Sequence, residues 1–219
     1  MPTKKDKKQI LLVDDHPMMR EGLAVLINQE PDLSVAGEAG SAAEAFELIP
    51  KLKPHLALID ITLPGKNGLE LVKDVTTTFP ETLTLVLSMH DESLYAERVL
   101  RAGGRGYIMK QEGGKKIIAA IRQVLSGGIY VSEKMSARIL EIFSTGKRDA
   151  QTSPVGALTD REFEVLQLIG RGAEIRDIAA QLHISVKTAE VHRANLKQKL
   201  GLKSVSELIR YAVRWVESH

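Results

Sequence analysis

Asp14, Asp15, Asp60, Ser88 and Lys110 are the residues of this sequence best suited to act together. Each closes a short apolar run: QILLV at 9–13, LALID at 56–60, LTLVLSM at 83–89 and GYIMK at 106–110. If these runs are strands of one parallel sheet, their carboxyl ends face the crevice in which open α/β sheets bind ligands. Three carboxylates converging there repel one another, and the simplest remedy is a hard divalent cation with oxygen ligands and retained waters, namely Mg2+. Lys110 adds a positive charge for a phosphate to use, and Ser88 adds a hydroxyl. The set suits phosphoryl transfer onto the Asp60 carboxylate, a reaction in which positioning and electrostatics carry most of the catalysis. A single Asp after a strand is more often a cap or turn residue, so the weight rests on the combination.

The elements that must position these side chains follow from the alternation of apolar runs and amphipathic stretches. Adding LSVAG at 33–37 gives five strands, most of them apolar throughout rather than alternating, as buried parallel strands are. Helical spacing is expected over 17–30, 41–52, 68–78, 91–102 and 114–125, with Ser41 and Glu44 capping the second helix and Pro31, Pro54 and Pro80 closing helices. The pattern predicts an α/β, doubly wound (βα)5 domain over 9–128, after a basic, solvated tail at 1–8. His16, beside the acidic pair, is read as lining the site.

A connecting helix at 132–144 and a polar linker complete 129–157. From 158 to 219 the strands vanish, and helices are expected at 159–170, 174–182, 185–200 and 204–217. Thr159 with Glu162 and Ser204 with Glu207 read as capping boxes, and Gly201 ends the third of these helices. The helices 174–182 and 185–200 are joined by a very short turn. Ile175, Ile178, Ala179, Leu182, Ala189, Leu196 and Leu200 form their inward stripe, while Lys187, Glu190, Val191 and Ala194 project from the opposite face. With Thr188, Arg193, Asn195 and Lys197 beside them, that face suits a DNA major groove and its phosphates.

Composition sets the boundaries. At 219 residues, two modest domains are as reasonable as one. The absence of cysteine excludes disulfides, zinc ribbons and a thiol nucleophile. With no apolar leader and no membrane-spanning run, a cytoplasmic location is expected. The overall charge of +2 is uninformative until it is divided: residues 1–145 carry −1 and residues 146–219 carry +3, with +4 between 185 and 203.

The motifs ILLVDDH, LALIDITLPGKNGLEL, VLSMHDE and RAGGRGYIMK resemble the receiver domain of bacterial two-component response regulators, a flavodoxin-like fold. The stretch 158–213 resembles the LuxR-type helix-turn-helix, with its motif at about Glu174 to Arg193, and the order of the two is that of the NarL/FixJ family. The resemblance implies that Asp60 accepts phosphate from a sensor histidine kinase, with Mg2+ bound by Asp14, Asp15, Asp60 and the Thr62 carbonyl. It further implies that Ser88 and Lys110 contact the phosphoryl group, and that Tyr107 is an aromatic switch. In the helix-turn-helix, Glu190, Val191 and Ala194 would meet base edges, with Glu190 accepting from a cytosine amino group, and Lys187, Thr188 and Lys197 would lie near phosphates. The last helix would pair two copies through Val205, Leu208, Ile209, Ala212 and Val216 on pseudo-palindromic promoter DNA. RNA polymerase is a further partner consistent with such a role, and occlusion of the DNA-binding domain before phosphorylation is the mechanism the family implies. Two features depart from the family. Thr62 stands where Met is frequent, and Gly113-Gly114-Lys115-Lys116 sets positive charge at a helix start, where a loose first turn is expected.

Two other readings compete. An aspartyl-phosphate hydrolase shares the Asp and Mg2+ chemistry but needs a second Asp two residues after its nucleophile, and Asp60-Ile61-Thr62 has none. A DNA-binding protein with a degenerate receiver is disfavoured by the complete acidic and basic set. No enzyme activity is expected beyond phosphorylation and dephosphorylation of Asp60 itself.

Overall fold

The computed structural model describes residues 7–145 and 154–218. The chain forms two compact units, residues 1–137 and 138–219.

The first unit is a five-stranded parallel sheet in the order β2-β1-β3-β4-β5, built from β1 (Lys8–Val13), β2 (Leu33–Ala39), β3 (Leu56–Ile59), β4 (Leu83–Ser88) and β5 (Tyr107–Met109). Five helices alternate with the strands: α1 (Pro17–Asn28), α2 (Ala42–Leu52), α3 (Gly68–Thr78), α4 (Glu92–Arg101) and α5 (Gly114–Leu125). Ile10 and Leu12 point to one face, packed with Leu23 and Ile27 of α1 and Ile117 and Ile121 of α5. The strand pleat sends Leu11 and Val13 to the opposite face, beneath α2 to α4. Both faces are therefore covered, which is why the strands read as unbroken apolar runs.

The strand order places β1 beside β3, so Asp14 and Asp15 emerge next to Asp60. Asp60 lies just beyond β3 and is still tied to it, donating its N–H to the Val13 carbonyl at 2.8 Å. Lys110 likewise leaves β5 and opens a short 3-10 turn, Lys110–Glu112. The loop after β3 folds back closely enough that a methyl group on Gly68 would fall 1.9 Å from the Asp60 carbonyl oxygen, so only glycine fits there.

Several expectations are corrected. Lys8, expected in the tail, pairs with Leu33 in the sheet, and Lys7 donates to the Glu30 carbonyl; residues 1–6 lie outside the described residues. The connecting helix α6 (Glu133–Thr145) straddles the boundary between the units, so the first unit runs past the expected end at 128. Within the expected linker, Pro154–Ala157 forms a 3-10 turn because Val155 is buried, while 146–153 lies outside the described residues. The first turn of α5 is helical from Gly114 despite its two lysines, with Lys116 paired to Glu112.

The second unit holds α7 (Asp160–Gly170), α8 (Ile175–Gln181), α9 (Val186–Lys199) and α10 (Val205–Glu217). Thr159 and Glu162 close the expected capping box on α7. Ser204 caps α10, but Glu207 accepts from the Lys203 N–H, one residue upstream of the expected partner. Among the described residues, no helix is long and apolar enough to cross a membrane.

Candidate functional site

The end of the sheet gathers the acidic residues around one lysine. Lys110 Nζ donates to Asp14 Oδ2 at 2.6 Å and to Asp60 Oδ2 at 2.7 Å, and all three side chains are buried. Asp60 Oδ1 also accepts the Thr62 N–H at 3.3 Å. The His16 ring reaches Asp14 at 3.1 Å and Asp15 at 2.8 Å, so His16 does line the acidic pair. Carboxylate oxygens of Asp14, Asp15 and Asp60 and a nitrogen of His16 all lie within 4.8 Å of one another. An oxygen-rich cluster of this size, with two buried carboxylates, fits a hard divalent cation.

Burial pushes the Asp60 carboxyl up to about 6, overriding the Lys110 ammonium that pulls it down. Burial alone would lower the pKa of Lys110, but the Asp60 and Asp14 carboxylates outweigh it and hold Lys110 above its ordinary value. The site thus keeps a fixed cation beside a carboxylate whose charge is costly. Such a carboxylate is relieved by bonding its oxygen to an electrophile.

A second group surrounds the β4–α4 loop. The Ser88 hydroxyl, fully buried, accepts the His90 N–H at 3.2 Å. The Tyr107 hydroxyl donates to the His90 carbonyl at 2.8 Å, and burial raises the phenol pKa well above its ordinary value, so it stays protonated. The His90 ring lies 3.2 Å from Thr62 Oγ1 and 5.0 Å from the Tyr95 ring. His90 is the functional candidate that sequence reasoning missed. Its position two residues after Ser88 carries no spacing rule, and its place depends on loops from three strands meeting.

In the second unit, α8 and α9 are joined through His183, whose φ of 52° makes the tight turn, and Ser185 caps α9 by accepting the Thr188 N–H at 3.0 Å. Ile178, Ala179, Leu182, Ala189 and Leu196 are buried as the inward stripe requires. Lys187, Thr188, Glu190, Val191 and Ala194 are exposed together on α9, and Lys197 is half-buried. Glu190 and Arg193 approach to 3.8 Å, so the guanidinium partly offsets the one acid on this face. Lys199 is exposed, but its ammonium is bonded at 2.7 Å to buried Glu162 and so is already committed to an acid of the bundle.

The expected pairing surface of α10 also narrows. Leu208 and Ala212 are fully buried in the bundle, Ala212 where its carbonyl leaves room for nothing larger than Gly170, and neither is available to a second copy. Val205 and Ile209 are exposed, and Val216 is half-buried.

Each of the two units matches a known family. Residues 10–122 match the response regulator receiver domain family, and residues 156–212 match the LuxR family of bacterial regulatory proteins. The oxygen regulatory protein NreC of Staphylococcus aureus is 37% identical over 210 residues, covering 94% of this chain and 97% of its own. RcsB of Salmonella enterica serovar Typhimurium, solved on promoter rprA with the phosphomimetic BeF3-, superposes with a TM-score of 0.62 at 26% identity, covering 94% of this chain and 98% of that one. A LuxR-family two-component response regulator from Aurantimonas sp. SI85-9A1 is 33% identical with a TM-score of 0.58, over 62% of this chain and 96% of its own. The chain belongs to the NarL/FixJ family of two-component response regulators, a receiver followed by a LuxR-type helix-turn-helix, and is a DNA-binding transcription regulator.

Proposed function

We propose that Asp60 is the phosphoacceptor of this regulator and that its phosphorylation by a sensor histidine kinase controls promoter binding. The observation that carries this reading is the buried Asp60 carboxylate held at 2.7 Å by Lys110 beside a second acidic pair. An Asp60 oxygen attacks phosphorus, the bond from phosphorus to the kinase histidine nitrogen breaks, and the histidine leaves with the electron pair. Asp14, Asp15, Asp60 and the Thr62 carbonyl would hold Mg2+, which when bound neutralises charge on the transferring group. Lys110 and the Ser88 hydroxyl contact the phosphoryl oxygens, and Tyr107 reports the change. The only reactions on this chain are gain and loss of the Asp60 phosphate.

Downstream, phosphorylation shifts an equilibrium toward a dimer that reads pseudo-palindromic double-stranded DNA. Glu190, Val191 and Ala194 face base edges, and Lys187, Thr188 and Lys197 face phosphates. The second unit's charge of +3, with Lys187, Arg193 and Lys197 on α9 against Glu190, supports this assignment. The cytoplasm is the compartment this role requires. Replacing Asp60→Asn abolishes hydroxylamine-labile phosphate incorporation from acetyl phosphate; undiminished labelling would place the acceptor elsewhere.

A further inference from the structure

After α5 the chain does not simply depart toward the second unit. Gly127, at a φ of 89°, turns it back, and Gln123 Nε2 donates to the Ile129 carbonyl at 2.6 Å. Tyr130 then pairs in parallel with Gly106 at the free edge of the sheet: Tyr107 N donates to the Tyr130 carbonyl at 2.8 Å, and Tyr130 N to the Arg105 carbonyl at 3.0 Å. A methyl group on Gly106 would stand 2.5 Å from the Tyr130 carbonyl oxygen, so the glycine is what lets the segment lie there. Two residues later, Ser132 N donates to Glu92 Oε1, in the first turn of α4, at 2.7 Å. Ser132 also heads α6, its hydroxyl accepting from Met135 N at 3.2 Å and its carbonyl from Ser136 N at 2.9 Å.

These bonds close a ring. Tyr107 holds Tyr130 through its backbone and His90 through its hydroxyl, and Glu92, two residues beyond His90, holds Ser132, two residues beyond Tyr130. The ring meets the acidic site where the Ser88 hydroxyl accepts the His90 N–H and where the His90 ring lies 3.2 Å from Thr62 Oγ1. A Ser88 side chain that rotates its oxygen toward a phosphoryl group carries it away from the His90 N–H, and a His90–Glu92 turn that moves in response strains the bond to Ser132. Freed from Ser132, the Glu92 carboxylate keeps a favourable position at the positive end of α4, so the latch has two comparable states.

We propose that residues 127–132 are a strap, with Glu92 as its latch, that opens when the Asp60 site is loaded and so releases the head of the helix leading to the DNA-binding unit. This rests on Asp60 being the phosphoacceptor. The test uses the full-length protein with and without beryllofluoride and Mg2+, following amide exchange and binding to genomic DNA fragments selected with the wild type. Loading is expected to speed exchange of the Ser132 amide by about tenfold or more, as local opening does. In Glu92→Ala that amide exchanges fast in both states. The gain in DNA affinity on loading, typically about 5- to 150-fold for coupled sites, falls toward one because the unloaded variant binds more tightly. Glu92→Gln, which keeps an acceptor oxygen, retains the wild-type response. Equal Ser132 exchange in loaded and unloaded wild type, or an unchanged affinity ratio in Glu92→Ala, would overturn the strap. A wild type whose DNA affinity ignores beryllofluoride would instead overturn the phosphoacceptor reading.

Discussion

A nucleophilic carboxylate must be ionised to attack, and Asp60 ionises late. Its pKa, raised by burial to about 6 in the metal-free site, means that protons compete with Mg2+ for the carboxylate, so that apparent Mg2+ affinity weakens as pH falls through about 6. The raised pKa has a stability consequence in metal-free protein. A folded pKa above the unfolded value near 3.8 favours the protonated form in the native state. The stability this contributes is fully present below about pH 4 and is lost as pH rises through about 6. The loss approaches about 3 kcal/mol at one to two pH units above that, since each tenfold change in a protonation equilibrium is worth about 1.4 kcal/mol. Thermal melts with a chelator should therefore show Asp60→Asn gaining on wild type between pH 4 and pH 7; parallel curves would show that Asp60 ionises in its ordinary range. The acidic set was legible because a strand ends where its apolar run stops, which fixes Asp14, Asp60 and Ser88 at the crevice. His90 was not, because no local pattern encodes the convergence of Thr62, Tyr95 and Tyr107 around it.

At the scale of elements, helix limits were read well because caps are local. Ser41, Thr159 and Ser204 each accept the expected N–H three residues on, and Ser185, which was not singled out, does the same. What each face of a helix does was less legible, since charge alone does not separate a DNA contact from a core tie. Lys187 and Lys199 are both exposed on the same helix, yet only the second is bonded to buried Glu162. Lys199→Ala removes the cation from that buried carboxylate, leaving it the Thr159 N–H, and should lower the melting free energy of the second unit by about 1–3 kcal/mol. The slope of DNA affinity against salt should be unchanged. Lys187→Ala should do the reverse, leaving melting unaltered while lowering affinity and reducing the salt slope by about 1. Salt titrations and melts on both variants check the assignment, and a reduced slope in Lys199→Ala would return that lysine to the DNA surface. Because Lys199 holds the Glu162 carboxyl below its usual range, this tie is complete above that range and weakens as pH falls through it.

For the whole molecule, the sequence separates two units of opposite charge, and in the proposed function pairing of copies joins phosphorylation to a two-fold operator. The family resemblance was the reason to expect pairing through α10, whose apolar stripe serves the bundle first. Leu208 and Ala212 are at 0% exposure, whereas Val205 is at 38% and Ile209 at 46%. A small bundle cannot leave both its core and its partner to the same residues, so the outer edge of the helix is what remains for a second copy. Leu208→Ala should cost about 2–5 kcal/mol of stability through its cavity, and any loss of DNA binding should follow the loss of folded protein. Ile209→Asp should melt as the wild type does and accept phosphate normally. With phosphate present it should sediment as a monomer and protect one half-site where the wild type protects two, about one helical turn apart. If Ile209→Asp still dimerises and protects both half-sites, the copies pair through another surface, and the exposed edge of α10 has no part in reading the operator.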